Sequence, residues 1–91
     1  MGMPQAVYFK PAGIKMRQLE EVVLTIEEFE ALRLKDFEDL DQKDAAKKMG
    51  ISQPTFNRLI FSARKNVADA IANGKALKIE GGSFVCINPL E

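Results

Sequence analysis

The chain has 91 residues, 46% hydrophobic and 29% charged, and its 13 basic and 13 acidic residues give a formal net charge of zero. That length supports one domain with a modest core, and no apolar run approaches the roughly 20 residues that a membrane span needs. A single cysteine, Cys86, and no histidine exclude an intrachain disulfide, a Cys/His zinc site and Ser–His or Cys–His catalysis within one chain, and no Gly-rich phosphate loop is present. The chain is therefore expected not to be an enzyme and to need no cofactor.

The opening MGMPQAVYFK lacks a basic stretch followed by an apolar block, so no secretory signal and a cytoplasmic location are expected. Val7-Tyr8-Phe9 reads as a short strand, halted by Pro11 and Gly13. Residues 14–23, IKMRQLEEVV, fit a short helix or an extended stretch equally well. A helix start follows: Thr25 and Glu28 form a capping box, with Leu24 and Phe29 at the flanking staple positions. The helix is predicted over about 26–36, with Ile26, Phe29, Leu32 and Phe37 on its apolar side and Glu27, Glu30 and Arg33 solvated.

After the acidic connector Glu38-Asp39-Leu40, Asp41 can cap a second helix over about 42–49. Gly50 sits where a tight turn wants positive φ, Ser52 can cap a third helix, and Pro54 lies in that helix's first turn, where a missing N–H costs nothing. Ala45 and Ala46 are small where two helices would cross, and Met49, Ile51, Phe56 and Leu59 can fill the wedge between them. The result is a helix-turn-helix over about 42–65. Phe56, Leu59, Ile60, Ala63, Val67, Ala70 and Ile71 continue one apolar stripe along the third helix as far as Asn73-Gly74. Ala76–Glu80 alternates like a strand, Gly81-Gly82 signals a hairpin, and Ser83–Ile87 is rich in β-formers. The fold is predicted to be mostly α, a single three-helix helix-turn-helix domain with a small β element built from the terminal segments.

Charge is unevenly placed. Residues 1–42 carry five basic and nine acidic residues, a net of −4, whereas residues 43–78 carry eight basic and two acidic, a net of +6; the remaining residues contribute −2. The basic segment and the helix-turn-helix pattern coincide, which points to nucleic acid.

The stretch LTIEEFEALRLKDFEDLDQKDAAKKMGISQPTFNRLIFSARKNV resembles region 4 of the sigma-70 family, whose helix-turn-helix follows an LT.EE.EAL.L helix and ends in ARK. With the flanking YFKPAG and GKALKIEGG blocks, the chain is more similar still to the prokaryotic UPF0251 (DUF134) family, over about residues 7–84. That resemblance implies a DNA-binding protein. Members of that family usually begin with a longer basic stretch, often containing a cysteine, and many carry a Cys- and Gly-rich tail. This chain has neither, so no metal site is carried over.

If the third helix, about 53–73, enters a major groove, Gln53 and Asn57 can bond an adenine edge and Arg58 a guanine edge or a phosphate. Lys47, Lys48, Ser52, Thr55, Arg64 and Lys65 suit phosphate contacts, which set register without reading sequence. Lys75 and Lys78, beyond the motif, read as solvated surface, and Tyr8 and Phe9 as sheet or core residues. Phe61 lies on nearly the same face as Asn57 and is expected to be covered by the N-terminal segment or another helix, failing that by a subunit interface or DNA. The expected partners are double-stranded DNA and a second copy of the chain, with no membrane. The expected function is transcriptional regulation, the alternative a protein-interaction module that contacts RNA polymerase without reading DNA.

Overall fold

The computed structural model describes residues 8–15 and 18–80. In chain order it shows strands β1 (Tyr8–Phe9) and β2 (Glu21–Leu24), helix α1 (Ile26–Leu32) continued by a wide π-type turn (Arg33–Phe37), helices α2 (Gln42–Met49) and α3 (Gln53–Asn73), and strand β3 (Ala76–Ile79). The fold is mostly helical, with a small three-stranded sheet, as the sequence predicts.

Each helix begins on a capping residue that the sequence marks. The Thr25 hydroxyl accepts from the Glu28 amide and the Glu28 carboxylate accepts from the Thr25 amide, so the capping box is complete. Asp41 caps α2 through the Asp44 amide at 2.8 Å, and Ser52 caps α3 through the Thr55 amide at 3.2 Å. Gly50 ends α2 at φ 69° and Gly74 ends α3 at φ 64°, both left-handed, a conformation that costs an L side chain about 1–2 kcal/mol.

The end of α1 departs from the predicted helix. The Glu38 amide donates to the Arg33 carbonyl, five residues back, at 2.9 Å, so the turn holds one residue more than an α-turn and shifts the helical phase. Leu34 follows buried Glu30 and Ala31 inward, at 2% exposure, whereas Phe37, predicted on the apolar side, is turned out to 83%. Glu30, predicted to be solvated, is buried and bonded twice by the Arg33 guanidinium, at 3.0 and 2.7 Å. Arg33 also pairs with Glu38, and its affinity for a proton is raised above the ordinary value, chiefly by the Glu30 hydrogen bonds. Asp39, at φ 62°, then redirects the chain toward α2; aspartate tolerates that region better than most residues.

Residues 21–23, the end of the stretch left open between helix and extended chain, form a strand together with Leu24. β3 is the central strand, antiparallel to β1 (Tyr8 opposite Lys78) and parallel to β2 (Leu24 opposite Ile79). In β2, Val22 and Leu24 face inward and Glu21 and Val23 outward. The predicted second hairpin arm, 83–87, lies outside the described residues, as do Val7 and Cys86; both edges of β3 are taken by β1 and β2.

Two apolar clusters hold the helices. Phe56, fully buried, shares one with Ala31, Leu34, Ala45, Ala46 and Ile60, and Met49, Ile51 and Leu59 pack against it. Leu24, Ile26, Ala63 and Ile79 form the other, joining the sheet to α3. Ile71, predicted in the buried stripe, is instead 78% exposed. It stands about 60° around the helix from Phe56 at 100° per residue, at the lip of a groove floored by Leu24, Phe29 and Leu77.

Replacing Phe56 with alanine is expected to cost about 3–5 kcal/mol, and Gly50→Ala about 1–2 kcal/mol, both measured by urea unfolding. Losses below half of these values would show that neither the wedge nor the turn carries the load assigned to it.

Candidate nucleic-acid interface

Helix α3 is 21 residues long, about 31 Å. Its inner stripe of Phe56, Ile60, Ala63 and Ala70 is buried, which leaves one flank of the stripe and the side opposite it open. Gln53, Asn57 and Arg64 fall within about 40° of one another on the flank beside Ile60, and Arg58 and Lys65 lie about 100° further round, opposite the stripe; all five are exposed and bound the open arc of the helix. The three base-contact candidates Gln53, Asn57 and Arg58 are all exposed, spread over about 140° of the helix surface. Between Gln53 and Ala68 the helix carries Arg58, Arg64 and Lys65 and no carboxylate.

The N-terminal end of α3 adds to this positive surface. Its first turn has no acidic residue, whereas α1 carries Glu27 and Glu28 there and α2 carries Asp44. An N-terminal turn without carboxylates leaves the partial positive charge of the helix end unneutralised. Lys47 and Lys48 are exposed in the last turn of α2, and the turn Gly50–Ser52 brings them to the same end of the motif.

Three phosphate candidates already have partners. The Arg64 guanidinium donates to both Asp36 carboxylate oxygens, at 3.0 and 2.6 Å, which ties α3 to the π-type turn. That pairing raises the Arg64 pKa and holds the Asp36 carboxyl below its ordinary value, in each case chiefly through the hydrogen bond between them. Thr55 is half-buried and off the open arc; its hydroxyl accepts from Ser52 Oγ at 3.0 Å and from Arg58 Nη2 at 3.2 Å. Ser52 keeps an exposed position but its hydroxyl is already used by the cap.

Two lysines read as solvated surface are held by acids. Lys75 pairs with Asp69 at 3.3 Å and Glu20 at 3.4 Å, and its pKa is raised, first by the Asp69 hydrogen bond. Lys78 pairs with Glu80 at 2.9 Å and lies 5.4 Å from the centre of the Tyr8 ring, and its pKa is raised chiefly by Glu80. Neither faces the open arc. Phe61, predicted to be packed against another part of the chain, is 72% exposed; no described element covers it.

Glu28 sets the position of α3 in a way the sequence reading missed. Besides closing the capping box of α1, its buried carboxylate accepts from Ser62 Oγ and from Asn66 Nδ2, at 3.4 Å for the latter. The capping-box spacing marks Glu28, but its partners 34 and 38 residues away leave no local signal. Among the described residues no group of three or more His, Cys, Asp or Glu could hold a metal ion, and no helix is long and apolar enough to cross a membrane.

The family model described as "Protein of unknown function DUF134" matches residues 1–87. The chain belongs to the DUF134 family. Its relatives bear the corresponding name, UPF0251 protein: one from Moorella thermoacetica is 55% identical over 87 residues, which is 96% of this chain and 58% of the relative. Others from Caldanaerobacter subterraneus and Desulforudis audaxviator are 56% and 57% identical, covering 89% and 90% of this chain and 69% and 54% of the relatives. The chain thus spans between about half and seven-tenths of the length of these curated DUF134 relatives. No solved structure matches it.

Because the Asp36 pKa is depressed in the folded chain, the Asp36–Arg64 pair contributes stability above the ordinary carboxylate value and loses it as pH falls through the lowered one. Both side chains are more than a third exposed, so the contribution is at most about 1 kcal/mol. Asp36→Asn is expected to lower stability near neutral pH and to remove that acid-side loss, so that the two proteins converge as pH falls below about 3; a stability difference that is the same at pH 7 and at pH 2, or absent at both, would contradict it.

Proposed function

We propose that this DUF134 protein is a binding protein rather than an enzyme, and that it recognises double-stranded DNA by sequence through the open arc of α3, as a transcriptional regulator. The observation that carries this reading is the stretch Gln53–Ala68, which exposes Gln53, Asn57, Arg58 and Lys65 and holds no acid. Gln53, Asn57 and Arg58 have the donors and acceptors to read base edges in a major groove, while Lys47, Lys48 and Lys65 supply cations for phosphates. Ser52 and Thr55 would reach the backbone only through the cap they form, and Arg64 would exchange Asp36 for a phosphate. A homodimer suits this use, since a single recognition helix buries little surface and paired half-sites add to specificity.

The second reading is a module that docks on a protein such as RNA polymerase. Phe37 favours it: this ring is 83% exposed beside Asp36, Glu38 and Asp39, a setting repulsive to DNA. A gel shift against a random duplex pool separates the two readings, because a pure adaptor enriches no sequence at any salt concentration.

Under the DNA reading, engaging four to six phosphates lowers affinity by about 10²- to 10³-fold between 50 and 200 mM salt. Arg58→Ala is expected to cost about 1–3 kcal/mol in binding and to relax the preference at one base pair. Fluorescence anisotropy with a selected site tests both; a flat salt response, or Arg58→Ala binding as wild type, would sink the proposal. Asp36→Asn should tighten binding by up to about fivefold, because it frees the Arg64 guanidinium and removes a negative charge beside the arc; unchanged or weaker binding would show that Arg64 stays out of the contact.

A further inference from the structure

Asn57, Arg58, Ile60, Phe61 and Arg64 line a concave notch of about 450 Å³ on the flank of α3, beside its buried stripe. Ile60 is 6% exposed and Phe61 72%, so the notch has apolar carbon on one side and three hydrogen-bonding side chains, two of them cationic, around it. We propose that this notch receives the 5-methyl group of a thymine in duplex DNA, with Phe61 as its apolar contact, making Phe61 a specificity-determining residue. The inference rests on the DNA-binding reading above and adds the base that the site selects.

Phe61 follows Asn57 by four residues, one turn further along nearly the same face, which is a rise of about 6 Å. Base pairs are spaced by about 3.4 Å. Asn57 and Phe61 can therefore address base pairs one or two steps apart within one groove. Among the four bases, thymine alone presents an apolar group in the major groove, and phenylalanine is one of the side chains that contacts it. The surroundings of the ring favour a polyanion over an apolar protein surface: its neighbours on the arc are Asn57, Arg58, Arg64 and Lys65, no carboxylate lines the notch, and the Asp36 carboxylate beside it is paired with Arg64.

The experiment selects sites from randomised duplex DNA with the full chain, then replaces each thymine of the selected site singly by deoxyuridine, which lacks only the methyl group. Wild type is expected to bind about fourfold more weakly at one such position, the equivalent of one buried methyl group. Phe61→Ala should bind the thymine and uracil forms equally while keeping the wild-type unfolding temperature, and Phe61→Leu should retain part of the discrimination. Selected sites with no fixed thymine, equal binding of both forms by wild type, or discrimination that survives in Phe61→Ala would each overturn the methyl contact and leave DNA binding standing. Failure to select any sequence would remove the DNA-binding reading itself, and this inference with it.

Discussion

The packing of Phe56 against alanines is the constraint on which the helical part of the molecule depends. A fully buried phenyl ring needs neighbours that approach closely, and Ala31, Ala45 and Ala46, all at 2% exposure or less, let α1 and α2 come down onto α3 around it. Larger residues at those positions would hold the helices apart and force side chains from their preferred rotamers. With the inner face of α3 fixed in this way, Asn57, Arg58 and Lys65, between about a quarter and a half turn from Phe56, have to face outward, and Gln53, about 60° from it, is exposed in the first turn.

Glu28 locks the same arrangement by polar means. A carboxylate on a residue at 7% exposure is tolerable because three groups donate to it: the Thr25 amide, the Ser62 hydroxyl and the Asn66 side-chain amide. One residue thus ends the exposed backbone of α1 and fixes where the middle of α3 lies against it. The sheet completes the frame from the other side, since Leu24 and Ile79 pack with Ala63, and the backbone amide of Glu80 reaches the Leu24 carbonyl at 3.0 Å.

The π-type turn is where local pattern and tertiary structure part. By adding a residue to one turn it turns Phe37 out, and Asp36, within it, pairs with Arg64. A helical wheel at 100° per residue cannot foresee this, because the inserted residue changes the wheel itself. The outcome is an exposed cation of α3 paired with an acid, and an aromatic ring left on an acidic surface.

What the sequence determined by itself was everything set by short-range chemistry. The caps Thr25, Asp41 and Ser52, the left-handed stops Gly50 and Gly74, the alanine and phenylalanine wedge, and the open arc of Gln53, Asn57 and Arg58 follow from spacings of one to four residues, which hydrogen-bonding geometry and helical periodicity make legible. Tertiary structure alone decided the rest. That residues 21–24 are a strand depends on the edge of β3, more than 50 residues later in the chain; that Arg64 and Lys75 are paired, that Ile71 and Phe61 are exposed and that Glu30 is buried depends on elements brought together by folding. Such contacts join residues whose separation in sequence carries no periodic signal, so only the packed chain reveals them.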